Sequence, residues 1–296
     1  MQTPPPLQAG DRIGIVSTAR KITEAELQPA LKTFADWGLE VVLGKNLFAV
    51  YHQFAGTDRQ RLADLQDMLD DPEIKAIVCA RGGYGTARII DDLNFKMYSV
   101  KPKWIVGFSD VTVLHSHIHT HCGTETLHAI MPLTFPGTPE AMESLRKALF
   151  GEPISYELDP HPFNREGSCS GQLVGGNLSI LYSINNTPSD IDTTGNILFI
   201  EDLDEYLYHI DRMMLSLRRS GKLENLAGLI VGGMTKMNDN EVPFGKNAYE
   251  IIAETVKNYT YPLIFNFPAG HISDNRVLII GRRSEMTVSE RVRLRL

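Results

Sequence analysis

The sequence predicts an α/β protein with an N-terminal doubly wound parallel sheet domain and a smaller C-terminal α/β domain. In the first half, short apolar runs alternate strictly with amphipathic stretches, as parallel strands joined by helices do. A segment rich in Pro, Gly and Ser interrupts this order, and strand and helix patterns resume beyond it. We therefore assign 1–152 to the first domain, 153–175 to an interdomain crossover and 176–296 to the second domain.

Local patterns predict the elements of the first half. A helix from about Thr23 to Trp37 separates the apolar strands "DRIGIVSTA" and "EVVLG", and Thr57 is the N-cap of the helix "DRQRLADLQDMLDD". The following elements are the strand "IKAIVCA", the helix "TARIIDDL", the strand "KWIVGF" and a helix that carries four histidines. The glycine-rich turns "RGGYG" and "GFSD" fall at the carboxyl ends of strands, where such sheets bind ligands.

In the second half the pattern is less regular, but it remains that of an α/β protein. We predict a long helix around His209 to Ser220, and a hairpin formed by "RVLIIG" and "EMTVSERVRLRL" at the end of the chain. The other predicted helices are "PEAMESLRKALFG", which precedes the crossover, "NLSILYSI" and "NAYEIIAETVKN", and the other predicted strands are "NILFIED", "AGLIVGGM" and "PLIFNFPAGH".

Composition excludes several classes of function. The 296 residues are 43% hydrophobic and 22% charged, with a net charge of -7, so we expect no binding to nucleic acid. No apolar run approaches the roughly 18 residues that a membrane span requires, and we see no signal peptide. The three cysteines are too widely spaced for a disulfide framework and indicate a reducing compartment. We expect a cytoplasmic protein.

Ser109 is the first candidate for chemistry. It follows an apolar strand and precedes a helix, with Gly107 two residues before it, as in a nucleophile elbow. The usual elbow has a second glycine where this chain has Val111, so the match is partial. The alternative is that Ser109 simply caps the helix.

The turn "ARGGYGTAR" lies one strand–helix unit earlier. Its glycines would let backbone N–H groups approach an anion, although it is neither a Walker A loop nor a full dinucleotide motif. Next to Ser109 it could complete an oxyanion hole, with the N–H of Asp110 as one donor and that of Gly83, rather than Gly82, as the other. A plain tight turn is the alternative.

A nucleophilic serine needs a base and an acid that orients it. His271 follows an apolar strand and a Pro-Ala-Gly turn, and Glu201 lies at the end of another strong apolar strand. Serine, acid and histidine then occur in the chain order of α/β-hydrolases. The alternatives are that His271 is a surface-loop residue and that Glu201 starts a helix-capping cluster.

Five segments together carry a family resemblance: "ARGGYGTAR", "GFSDVT", "GGNLSIL", "FIEDLDEYLYHIDRMM" and "FPAGHISDN". They resemble the murein tetrapeptide L,D-carboxypeptidases, a serine peptidase family that also includes microcin-immunity peptidases, over essentially the whole chain. The resemblance implies Ser109 as nucleophile, Glu201 and His271 as its partners, an active site between the domains, a homodimer and no metal. The chain departs mildly in "FIED" and "AGHISDN", which leaves fine substrate preference open but not the triad.

The histidines at positions 115, 117, 119 and 121 raise a competing hypothesis. His115 and His119 share one helix face, as do His117 and His121, and an i, i+4 pair can bind zinc. The stretch lacks the glutamate of a zinc-peptidase motif, and the four side chains would spread around the helix. We interpret them as structural and expect no metal and no cofactor.

The resemblance also implies a substrate, a cytoplasmic muropeptide from which terminal D-alanine is released. Such an enzyme must hold a terminal carboxylate, which suits an arginine; Arg81 and Arg212 are candidates, and Tyr84 and Tyr208 are candidates to line the same pocket. Three other functions stay open: a microcin-immunity peptidase acting on peptidyl- or aminoacyl-nucleotide analogues, a small-molecule binding protein without chemistry, and a metal-dependent hydrolase.

Overall fold

A computed structural model describes residues 1–296 as an α/β protein built on two sheets. The first sheet has the order β2-β1-β3-β4-β5-β11, and the second has the order β10-β9-β8-β7-β12-β13-β6. The strands are β1 Arg12–Val16, β2 Glu40–Leu43, β3 Ile74–Cys79, β4 Trp104–Gly107, β5 Thr126–His128, β6 Ser155–Leu158, β7 Gly167–Asn177, β8 Ile197–Leu203, β9 Gly228–Thr235, β10 Leu263–Ile264, β11 Leu278–Ile280, β12 Arg283–Val288 and β13 Val292–Arg295. The helices are α1 Glu24–Asp36, α2 Asp58–Asp70, α3 Lys96–Val100, α4 Thr112–Cys122, α5 Pro139–Phe150, α6 Leu178–Ile184, α7 Leu207–Arg219 and α8 Ala248–Thr255.

The first sheet is the doubly wound parallel sheet that the sequence predicts. Strands β1 to β5 are all parallel, and β3 and β4 are buried almost throughout because helices cover both faces of the sheet. Thr23 and Thr57 cap α1 and α2 through reciprocal side-chain bonds, which confirms the predicted helix starts. Strand order reverses between β1 and β3, and the loops after β1, β3 and β4 therefore share one edge.

The second sheet is mixed. Strands β7 to β10 are parallel, whereas β7, β12, β13 and β6 pair antiparallel. Buried and exposed residues alternate along β12 and β13, so this part of the sheet has one face in solvent. Strand β6 and the start of β7 lie within 153–175, the predicted crossover, whose boundaries remain a prediction.

One predicted element is wrong, and two others form only in part. The stretch "TARIIDDL" forms two short 3-10 turns instead of a helix, because tertiary hydrogen bonds hold Thr86 at its start. The strand predicted in "PLIFNFPAGH" ends after two residues, where Asn266 adopts a left-handed backbone. The final hairpin forms only within "EMTVSERVRLRL", since β11 pairs antiparallel with β5 of the first sheet.

The two halves of the chain pack against each other through shared apolar cores. One core joins Ile13 and Val78 of the first sheet to Phe199 and Ile230 of the second, and another lies on the opposite faces. The edge of the first sheet that carries the glycine-rich turns consequently faces the second half of the chain. None of the helices is both long and apolar enough to traverse a bilayer.

Candidate active site

Ser109 occupies a sharp turn between β4 and α4. Its φ is +64°, in the left-handed region that a non-glycine residue adopts only when its surroundings impose it. The turn is so tight that a Cβ on Gly107 would lie 2.9 Å from a methyl carbon of Val111. Side-chain caps are absent from both the 3-10 turn at Ser109 and helix α4. The geometry is that of a strand–turn–helix elbow, and the hydroxyl does not serve as a helix cap.

Two further side chains join Ser109 in a hydrogen-bonded series. The His271 Nε2 atom lies 3.0 Å from Ser109 Oγ, and its Nδ1 atom lies 2.7 Å from Glu201 Oε2. The His271 backbone N–H also donates to Glu201 Oε2, at 3.1 Å. Glu201 is fully buried in β8, whereas the His271 side chain keeps some contact with solvent. The structure thus brings together three residues that are distant in the chain.

Close packing holds the histidine in place. Gly270 has a φ of +107°, and a Cβ there would lie 2.6 Å from Glu201 Oε2, so only glycine lets the loop approach the carboxylate. The Gly270 N–H donates to Asn275 Oδ1 at 2.8 Å, and Thr235 Oγ1 donates to the His271 carbonyl oxygen at 3.0 Å. These contacts fix the ring between Ser109 and the buried acid.

Burial and charge act in opposite directions on the histidine. Burial lowers the pKa of His271, but the Glu201 carboxylate and its hydrogen bond raise it, aided by Asp202, and the net direction is upward. Burial and then the adjacent Glu201 charge raise the pKa of Asp202 to about 7. Asp202 accepts hydrogen bonds from Asn177 Nδ2 and from the Ser179 N–H, both at 2.9 Å.

A cavity of about 530 Å³ opens beside Ser109 where the two halves of the chain meet. Residues that follow β1, β3, β4 and β5 form one side, and residues from the ends of β7 and β8, the start of α6 and the loop after β8 form the other. The polar and glycine residues that line it, besides Ser109 and His271, are Arg20, Arg81, Gly82, Gly83, Thr134, Asn177, Ser179, Asp202, Asp204 and Glu205.

The predicted substrate-binding residues do not all reach this cavity. Arg81 lines it, whereas Tyr84 is exposed and its ring lies 6.2 Å from that of Phe54. Tyr208 and Arg212 line a second cavity of about 730 Å³ on α7, where the guanidinium lies 5.2 Å from the Tyr208 ring centre. The structure therefore does not bring Tyr208 and Arg212 together with Ser109.

The glycine turn after β3 is tied directly to the elbow. Asp110 is buried, and its Oδ2 atom accepts a hydrogen bond from the Thr86 N–H at 2.8 Å. Thr86 Oγ1 in turn donates to Thr18 Oγ1 at 2.9 Å, which connects the loops after β1 and β3. Both Gly82 and Gly83 face the cavity, and a Cβ on Gly82 would lie 3.1 Å from Ser109 Oγ.

Three of the four histidines of α4 have hydrogen-bond partners within the fold, and His119 has none. His115 Nε2 lies 2.8 Å from the Gly107 carbonyl oxygen, and burial lowers the pKa of His115 to about 4. His117 Nδ1 lies 3.0 Å from Ser189 Oγ, and His121 Nε2 lies 2.7 Å from the Pro188 carbonyl oxygen. No group of three or more His, Cys, Asp or Glu side chains is arranged to hold a metal ion.

Arg20, Asn177 and Asp202 were missed in the sequence analysis, although the sequence carried a signal for each. Arg20 follows β1 at the same sheet edge as the glycine turns, and Asp202 directly follows Glu201. Asn177 ends β7 within the quoted "GGNLSIL" segment and caps α6. Their position at strand ends was visible, but the direction of their side chains was not.

A serine, a histidine and a buried carboxylate in hydrogen-bonded series, set between the two sheets of an α/β protein, have the arrangement found in serine hydrolases. Residues 13–129 match the LD-carboxypeptidase N-terminal domain, and residues 170–286 match the LD-carboxypeptidase C-terminal domain. The chain therefore belongs to the LD-carboxypeptidase family, as the resemblance of its motifs predicts.

Individual relatives support the assignment of the chain to this family. A protein of Bacillus subtilis (strain 168), described as a probable murein peptide carboxypeptidase, is 37% identical over 97% of this chain and 92% of its own length. The crystal structure of muramoyltetrapeptide carboxypeptidase from Oxalobacter formigenes has a TM-score of 0.87 at 25% identity, covering 96% of this chain and 98% of that one. A microcin C7 self-immunity protein has a TM-score of 0.88 at 20% identity, covering 98% and 97%, and shows a shared fold.

Proposed function

We propose that this protein is a serine carboxypeptidase that cleaves the L,D-peptide bond of murein tetrapeptides and releases their terminal D-alanine. The hydrogen-bonded series from Ser109 through His271 to Glu201 is the observation that carries the proposal. The family of the chain and the carboxypeptidases among its relatives support the substrate class. The enzyme would act in the cytoplasm, as a homodimer and without a cofactor, in recycling of the cell wall.

The proposed reaction is acyl transfer through a covalent intermediate. His271 Nε2 takes the proton of the Ser109 hydroxyl as its oxygen attacks the peptide carbonyl carbon, and returns that proton to the nitrogen of the departing D-alanine. The same base then takes a proton from water, whose oxygen attacks the acyl carbon. The bond from that carbon to Ser109 Oγ breaks, Ser109 regains its proton from His271, and the shortened peptide leaves with a new carboxylate. Glu201 keeps the proton on Nδ1 and offsets the positive charge of the imidazolium. Because Glu201 is fully buried, solvent screens this charge interaction little.

The developing oxyanion requires donors that are already in place. We assign them to the N–H of Asp110 at the elbow and the N–H of Gly83 in the glycine turn. The Asp110 carboxylate, by accepting from the Thr86 N–H, holds that turn against the elbow. One residue therefore contributes a backbone donor and positions the loop that carries the other.

The direct test is to incubate the protein with a murein tetrapeptide and follow free D-alanine by mass spectrometry. We expect release of D-alanine and a matching tripeptide, unchanged by a metal chelator. Loss of activity on chelation that zinc restores would contradict the serine mechanism. Hydrolysis of an aminoacyl-nucleotide analogue, with the tetrapeptide left intact, would instead favour the microcin-immunity alternative.

The Asp110 side chain offers a separate prediction. Asp110→Ala leaves the buried Thr86 N–H without its acceptor and loosens the glycine turn, so we expect turnover to fall on the order of a hundredfold. Asp110→Asn keeps an acceptor oxygen and should recover most of that loss. Turnover and thermal unfolding of both variants check this; an Asn variant as slow as the Ala variant would mean that charge, not the hydrogen bond, is required.

A further inference from the structure

Two arginines in the Ser109 cavity have no ionic partner. Arg20 and Arg81 line the cavity, yet neither forms a salt bridge with any carboxylate of the chain, whereas the fully buried Arg61 pairs with Asp58. Arg81 donates from Nη1 to the Lys21 carbonyl oxygen at 3.0 Å, which anchors its guanidinium at the rim. These two unpaired cations make their own wall of the cavity positive, although the protein as a whole is acidic.

Arg20 lies directly over the glycine turn. A Cβ on Gly83 would be 2.5 Å from Arg20 Cγ and 2.6 Å from Cδ, so the arginine stem occupies the space that a side chain at 83 would need. The Arg20 backbone N–H also donates to the Gly82 carbonyl oxygen at 3.4 Å. Since Gly82 packs against Ser109, the Arg20 stem and the Ser109 hydroxyl lie over consecutive residues of one turn.

The separation of these two neighbouring positions, Gly82 beside Ser109 and Gly83 beneath Arg20, matches the C-terminal end of a peptide substrate. In a chain cleaved before its last residue, only the amide nitrogen and one α carbon separate the scissile carbonyl carbon from the terminal carboxyl carbon. These two carbons are therefore about 3–4 Å apart, much like the about 3.8 Å between consecutive Cα atoms of the turn. With the scissile carbonyl at Ser109, the terminal carboxylate would lie within reach of the guanidinium groups.

The opposite wall sets the direction of the substrate. Asp202, Asp204 and Glu205 line the other side of the cavity, and a carboxylate placed near them would be repelled. We propose that Arg20, together with Arg81, forms the subsite that binds the C-terminal carboxylate of the substrate, and so makes the enzyme a carboxypeptidase rather than an endopeptidase. This inference rests on the proposed function and names the residues that set its specificity.

The test compares a murein tetrapeptide with its C-terminal amide, which lacks the charge that the arginines bind. For the wild-type protein we expect kcat/KM on the free acid to exceed that on the amide by roughly 10- to 100-fold, the range for hydrogen bonds to charged groups. Arg20→Gln should reduce kcat/KM on the free acid by a similar factor and leave the amide within about threefold. Arg20→Lys keeps the positive charge but not the paired N–H donors of the guanidinium, so its kcat/KM on the free acid should be intermediate.

Arg59→Gln is the matched control, because Arg59 is an exposed arginine of α2 that lies outside the cavity. This variant should cleave both peptides with the kcat/KM of the wild-type protein. Equal losses on both peptides in Arg20→Gln would overturn the subsite and make Arg20 only a support for the glycine turn. A wild-type protein that cleaves neither peptide would contradict the proposed function itself. In that event, equilibrium binding of acid and amide to Ser109→Ala tests the subsite alone, and equal affinities would overturn it.

Discussion

Ser109→Ala is expected to fold normally and to lose at least about a thousandfold in turnover of the tetrapeptide. Only the hydroxyl oxygen is removed, and it has no cap bond to α4, so the free energy of unfolding should change by less than about 1 kcal/mol. The Cβ that packs against Gly82 remains. Steady-state kinetics and thermal unfolding of the purified variant measure the two effects.

A fluorophosphonate probe that reacts with activated serines gives an independent readout. It should label the wild-type protein and not Ser109→Ala, while Ser183→Ala, which removes an exposed hydroxyl of α6, should be labelled normally. Turnover of Ser109→Ala within tenfold of wild type would assign the hydroxyl no chemical role. In that case the strained turn would need another explanation.

Glu201→Gln should lower the plateau rate by a factor on the order of 10⁴, because an amide can hold the imidazole in the wrong tautomer, as in serine proteases. The base must be neutral, so kcat/KM rises as pH increases through the pKa of His271. That pKa is raised by the Glu201 carboxylate, which places the wild-type acid limb above the ordinary histidine value of about 6.5. Removing the carboxylate should move the acid limb to lower pH.

The measurement is a pH–rate profile of both proteins on one tetrapeptide. Glu73→Gln is the matched control, because Glu73 is an exposed glutamate before β3 and lies outside the cavity. An unchanged plateau in Glu201→Gln would make Glu201 a bystander, and the buried Asp202 would then be the next acid to replace. A plateau loss without a shift of the acid limb would mean that the variant distorts the site rather than removing a charge.

Much of the fold was determined by local sequence alone. Buried apolar runs bounded by turn residues predict the parallel strands, and Thr23 and Thr57 mark the starts of α1 and α2 through capping bonds that span three residues. Ser109 was recognisable because a strand, a glycine and a helix follow one another within a few positions. These features depend on neighbours in the chain, so a single sequence contains them.

Only the tertiary structure decided which distant residues meet. His271 lies 162 residues from Ser109, and nothing local says that its ring reaches the elbow while Arg212 reaches a different cavity. Strand β11 likewise left its expected hairpin, because its buried residues complete the edge of the first sheet beside β5. Sequence periodicity defines which face of an element is apolar, but the direction of a polar side chain at a strand end depends on packing between elements far apart in the chain.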